Sequence, residues 1–244
     1  MSAPSLWRLT LVELRKMADT RAGRWLLAST VLIALALVTI RIFAGPADTR
    51  ALDEFFAYAL EGISLLAPVL GILTVTSEWS QRTALTTFTL VPRRGRVLAA
   101  KLLAVLAGAI IGVLAALLIA VAGNVVAELL GRGGGWDVGV DAVLYALVFL
   151  GINMVMGAAF GALLLGSGVA IAVFFVVPIV WTILGSTITV FKHAAEWVDL
   201  ATANQPLLTV AMSGDAWPKL AVATALWVLL PLVAGTVRVV KSPL

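Results

Sequence analysis

Residues 102–126, LLAVLAGAIIGVLAALLIAVAGNVV, contain no ionisable side chain. At 1.5 Å per residue such a run crosses the ~30 Å hydrocarbon layer as a helix, and apolar runs beyond ~18 residues mark membrane spans. Five further apolar stretches match it, at 25–43, 55–76, 142–165, 169–190 and 220–237. Charged residues make up only 12% of the 244-residue chain, against roughly 25% in a water-soluble domain. The expectation is an all-α integral membrane protein, a single domain over 1–244 with six transmembrane helices.

Charge sets the expected orientation. With both termini on one side, that side holds residues 1–24, the 77–101 loop, the Gly166-Ser167-Gly168 turn and the tail, with 12 Lys/Arg against three acids: Glu13, Asp19 and Glu78. The other side, including 191–219, carries five Lys/Arg against ten acids. Cytoplasmic loops concentrate Lys and Arg, so both termini are expected in the cytoplasm. Arg outnumbers Lys, 12 to 5, as in GC-rich bacteria, which places the chain in a bacterial inner membrane. Arg41, near the far end of the first span, is expected to snorkel to the headgroups. The first 24 residues are too charged for a signal-peptide core, so the first span is expected to be retained.

Most catalytic chemistry is missing. There is no cysteine and no G-x-x-x-x-G-K-[ST] phosphate loop. The sole histidine, His193, has no second ligand at metal-binding spacing. No metal site, cofactor or enzymatic site is expected in this chain. Ionisable groups within spans are where an ion pathway is sought, and Glu61 is the clear example; Asn124 and Asn153 are expected to join helices by hydrogen bonds.

Small residues recur at i+4 spacing along the third span: Ala100, Ala104, Gly108, Gly112, Ala116 and Ala120, then Asn124. Gly157 and Gly161 repeat the small-xxx-small pattern in the fourth. Such stripes let helix backbones approach closely, either inside this chain or against a second one.

Two polar pieces interrupt the apolar pattern. The N-terminal piece puts Trp7, Leu11, Leu14 and Ala18 on one helical stripe, Leu6 and Met17 beside it, with Arg8, Arg15 and Lys16 off it. An amphipathic basic helix before a span is expected to lie in the inner interface. The second piece, 77–101, contains RTALTTFTL at 82–90, the length of a short helix, with Leu85 and Phe88 three apart; Pro92 stops it. Arg93, Arg94, Arg96 and Lys101 follow. A short helix held between two spans is suited to transmitting force.

The strings LVELRKMADTRAGRWLL at 11–27, GILTVTSEWSQRT at 71–83 and PRRGRVLAAKLLA at 92–104 resemble the permease subunits of ABC-2-type transporters. The resemblance covers the whole chain and implies an N-terminal elbow helix, six spans, and a coupling helix between helices 2 and 3. It implies that Glu78, Trp79, Arg82, Thr83, Leu85, Phe88, Pro92, Arg93 and Arg94 meet a separate ATPase subunit. Two such ATPases would bind ATP and Mg, and two permease chains, identical or related, would form the dimer. Export of an amphipathic, peptide or drug-like substrate is the implied activity. The alternatives are an ion- or proton-coupled carrier that depends on Glu61, and a non-transporting membrane or immunity protein.

Overall fold

The computed structural model describes residues 5–44, 51–81, 94–187 and 197–241, and among these every regular element is helical. Helix α1, Leu6–Asp19, is followed by α2, Arg21–Ala44, and α3, Leu52–Ser80. Then come α4, Arg94–Leu129, α5, Val140–Leu164, and α6, Ser167–Thr187. A short α7, Leu200–Leu208, lies within the 191–219 segment, and α8, Ala216–Lys241, contains a π-helical turn at Ala225–Leu229. The proposed 82–90 helix and His193 lie outside the described residues.

Five helices, α2, α3, α4, α5 and α8, are long and apolar enough to cross a bilayer. The apolar stretch of α6, Ser167–Trp181, is shorter and is not among the five, so a sixth span is not shown among the described residues. At ~1.5 Å per residue the 36 residues of α4 extend well past the ~30 Å hydrocarbon layer. The chain is thus a multi-pass membrane protein by the length and composition of its helices.

Helices α3 and α5 form the centre. More than half of each is buried, against little over a quarter of α2, α4 and α8. Their contact is made by bare backbone. A Cβ added at Gly157 would overlap the Pro68 carbonyl oxygen, and one at Gly71 would overlap that of Met154. At Gly161 the added atom would stand 3.0 Å from the Ile72 oxygen. Glycine is needed here for close approach, because any side chain would force the two helices apart. The peripheral helices turn large aliphatics outward, as α4 does with Leu106, Ile110, Leu114 and Leu118, which suits a lipid surround.

Local sequence explains several helix ends. Ser5 caps α1 by accepting from the Arg8 amide, and Asp199 caps α7 by accepting from the Ala201 amide. The turn between α5 and α6 is tighter than the Gly166–Gly168 break expected from sequence. Ser167 already begins α6, and Leu165 takes the left-handed conformation at φ 58°.

Two expectations are corrected, that for Arg41 at the acidic end of the bundle, opposite α1, and that for the asparagines within the spans. Arg41 does not snorkel: it is 4% exposed, and its Nε donates to Glu54 Oε2 at 2.9 Å while its guanidinium sits over Tyr58. A carboxylate on the neighbouring helix offers a fixed partner where the headgroups offer a mobile one. Asn153 does not join two helices either, since its Nδ2 donates to Phe149 O of its own helix. Nor does Asn124 bond to a second helix: its Nδ2 lies 3.4 Å from the Gly135 oxygen in the connection that follows its own helix, α4.

Candidate functional site

At the other, basic end, four charged side chains close into one network. Helix α1 supplies Glu13 and Lys16, α3 supplies Glu78 from its last turn, and α4 supplies Lys101. Lys16 Nζ donates to Glu13 Oε1 at 2.6 Å and to Glu78 Oε1 at 2.9 Å. Lys101 Nζ donates to Glu13 Oε2 at 2.7 Å and stands 3.4 Å from Glu78 Oε1. It also donates to the Thr74 carbonyl at 2.8 Å. Each lysine therefore holds both carboxylates, and the charges cancel. Glu13, Glu78 and Lys101 are buried.

The arrangement answers an electrostatic problem in α3. A carboxylate in the last turn of a helix faces the negative end of the macrodipole, so Glu78 needs cations. Lys101 in turn sits in an apolar context, LAAKLLA, where an unpaired ammonium is costly. Burying either alone would be unfavourable; together they bind α1, α3 and α4 into one unit.

Helix α1 is turned in a way its stripe does not announce. Its buried residues are Thr10 and Glu13, while Trp7 is 69% exposed. The apolar stripe is divided: Trp7 at its start is exposed, while Leu14 and Ala18 near its end border a cavity against the other helices.

Burial opposes ionisation of Lys16, yet its hydrogen bonds to Glu13 and Glu78 and their charges outweigh that, raising the ammonium above the ordinary 10.5. A raised lysine stabilises the fold fully below its unfolded pKa and loses that contribution as pH rises through the folded one. The melting difference between parent and Lys16→Gln is therefore expected to stay constant from about pH 6 to 9 and to shrink above ~10.5. A difference that vanishes already near neutral pH contradicts this pairing.

The predicted contact residues fall into two groups. Glu78, Trp79 and Arg94 line one narrow crevice together with Lys101 and Val239. Within it, Trp79 is half-buried against the core and Arg94 donates to the carbonyl oxygens of Val239 and Val240 in α8. Arg82, Thr83, Leu85, Phe88, Pro92 and Arg93 lie outside the described residues. Glu78 is 5% exposed and engaged by two lysines, so its geometry is that of an internal strut and not of a docking surface.

The small-residue positions point into this chain. Ala104, Ala116, Gly157 and Gly161 are buried. Side chains at Gly108 and Gly112 would meet Met154 and Leu150 of α5. Glu61 is exposed on α3, away from the network. Among the described residues no group of three or more His, Asp or Glu is placed to hold a metal.

Sequence reading marked Glu78 and Lys101 separately but missed Glu13 and Lys16 as their partners. The available signal was an isolated lysine among apolar residues and an acid at a helix C-terminus, each requiring a countercharge from elsewhere.

No protein-family model and no curated protein matches the chain. The bonds described above therefore carry the functional reading.

Proposed function

We propose that the chain is the membrane permease subunit of an ATP-binding cassette transporter, with six spans, both termini in the cytoplasm of a bacterium, and an amphipathic elbow helix in α1. The basic end is cytoplasmic, following the excess of Lys and Arg there. A separate ATPase docks on the 82–90 segment, two permease chains form the transport unit, and the cargo is amphipathic, peptide-like or drug-like.

The observation that supports this most is the way the two helix ends that flank residues 82–93 are held. On one flank, α3 is tied by Glu78 to α1 and α4, and by Thr76 and Ser80 to Ser167 of α6 at 2.8 and 2.7 Å. On the other, α4 is tied by Lys101 to α1 and by Arg94 to α8. A load applied between two anchored helix ends moves the helices, whereas a load on a loose loop is absorbed by the loop. ATP-driven closure of paired ATPases would thus reach three other helices, α1, α6 and α8, through α3 and α4. Glu78 acts by anchoring the segment; Arg82 and its neighbours make the contact.

The test is purification of the tagged chain from its native membrane in mild detergent, with the proteins that accompany it identified by mass. A stoichiometric ATPase is expected, and it should be lost when 82–90 is scrambled or Arg82 is replaced by Ala. A folded chain that purifies without any ATPase sinks the proposal.

A second reading rests on Glu61, a carboxylate exposed on the most buried spanning helix. A proton- or ion-coupled carrier predicts that Glu61→Gln abolishes transport and that no ATPase is needed.

A further inference from the structure

Two cavities adjoin behind α1, one of mixed lining that includes Glu13 and Lys16 of the network and one almost wholly apolar. One, of about 240 Å³, is lined by Thr20, Arg21, Ser77, Ser80, Gln81 and Ser167 among others. The other, of about 290 Å³, is walled by apolar side chains including Leu14, Val31, Ile63, Ala115 and Leu150. Met17 and Leu70 line both, so the spaces share a wall. An apolar space of ~150 Å³ already accepts a benzene-sized ligand and stays free of water, so the larger one has room for a segment of hydrocarbon.

Charge at the cavity of mixed lining is not balanced. Lys16 is taken up by Glu13 and Glu78. Arg21 and Arg24 are exposed, flank a further open cleft with Trp25, and join no ion pair among the described residues. Asp19, the nearest acid in sequence, pairs with neither. A guanidinium fork matches a phosphate, and an exposed tryptophan beside it is typical of headgroup depth.

We propose that the two adjoining cavities hold one anionic phospholipid, its phosphate on Arg21, which lines the first cavity and shares the further cleft with Arg24, and one acyl chain in the apolar space bordered by α1, α2, α3, α4 and α5. Free phosphate would satisfy the arginines and leave the apolar space empty. A lipid without a phosphate would fill that space and leave the arginines unpaired, and a zwitterionic one would bring a phosphate already offset by its own ammonium. Only a molecule with an anionic head and a hydrocarbon tail satisfies both. The bound lipid would brace α1 against the bundle beside the ion-pair network. The site depends on no ATPase, so it stands or falls separately from the transport reading.

The test is native mass spectrometry of the full chain, delipidated in detergent and titrated with phosphatidylglycerol or phosphatidylcholine of identical acyl chains. One retained phosphatidylglycerol is expected, bound more tightly than phosphatidylcholine. Arg21→Gln and Arg24→Gln should each weaken phosphatidylglycerol about five-fold, as for one cation at a membrane surface, and weaken phosphatidylcholine, whose phosphate charge is offset by its own choline, by less. Ala115→Phe, which fills the apolar cavity, should weaken both lipids; Ala18→Phe, on the exposed side of the same cavity, replaces it should the first variant not melt cooperatively. Glycerol phosphate, the head without chains, should not be retained. Equal binding of the two lipids by the parent, indifference to the arginine substitutions, or tight retention of glycerol phosphate would each overturn the proposal.

Discussion

Lys101→Met is expected to lower the stability of the detergent-solubilised chain by about 3–5 kcal/mol, the usual consequence of removing one partner from a buried ionic cluster. Methionine nearly preserves the length of the side chain, so packing changes little while the charge disappears. Glu13 and Glu78 would then be left buried with Lys16 as their sole cation in the network, and Lys16 has a side chain 42% exposed to its surroundings. The Thr74 carbonyl would lose its side-chain donor as well. Lys16→Met should be milder, because water and headgroups can take over part of its role. The triple variant Lys101→Met, Glu13→Gln, Glu78→Gln should recover much of the loss, since the one charge it leaves in the network is Lys16, whose side chain is 42% exposed and can be solvated. Thermal melting of the four proteins orders them; a Lys101→Met protein that melts like its parent would show that the network does not hold the fold.

Gly157→Val should be nearly as damaging, at about 3 kcal/mol, the upper range for forcing extra atoms into a packed interface. Its side chain would have to occupy the place of the Pro68 carbonyl, and backbone cannot move aside as the end of a flexible side chain can. Gly151→Val is the matched control. It lies on the same helix, yet an added Cβ there has nothing within 4 Å, so its melting should stay within about 0.5 kcal/mol of the parent. Equal effects at the two positions would mean that α3 and α5 do not cross as described.

The helical architecture was legible because its signal is local. A run such as 102–126 excludes water as a solvent and strand as a conformation in the same stroke. The i+4 stripe of small residues was also visible, but its partner was not. Ala104, Gly108 and Gly112 look identical whether they face a second chain or α5, because a stripe specifies close approach without specifying to whom. Helix α1 shows the complementary difficulty. Its apolar stripe is visible as a stripe, but which part of it borders the other helices depends on where those helices lie.

The charged residues divide in the same way. Their sorting into a basic and an acidic side is additive along the chain and needs no fold. The pairing of Glu13 with Lys101, 88 positions apart, and of Arg41 with Glu54 needs the crossing of particular helices. Sequence alone thus determined the solvent of this chain, its helices and the polarity of its ends, since each follows from residues counted within a span or a loop. Tertiary structure alone decided that Glu78 is an internal strut, that Gly108 and Gly112 of the small stripe meet Met154 and Leu150 of α5, and that a cavity of mixed lining and an apolar one both border Met17 and Leu70. Those outcomes depend on which side chains distant in sequence arrive at the same depth, and only packing sets that depth.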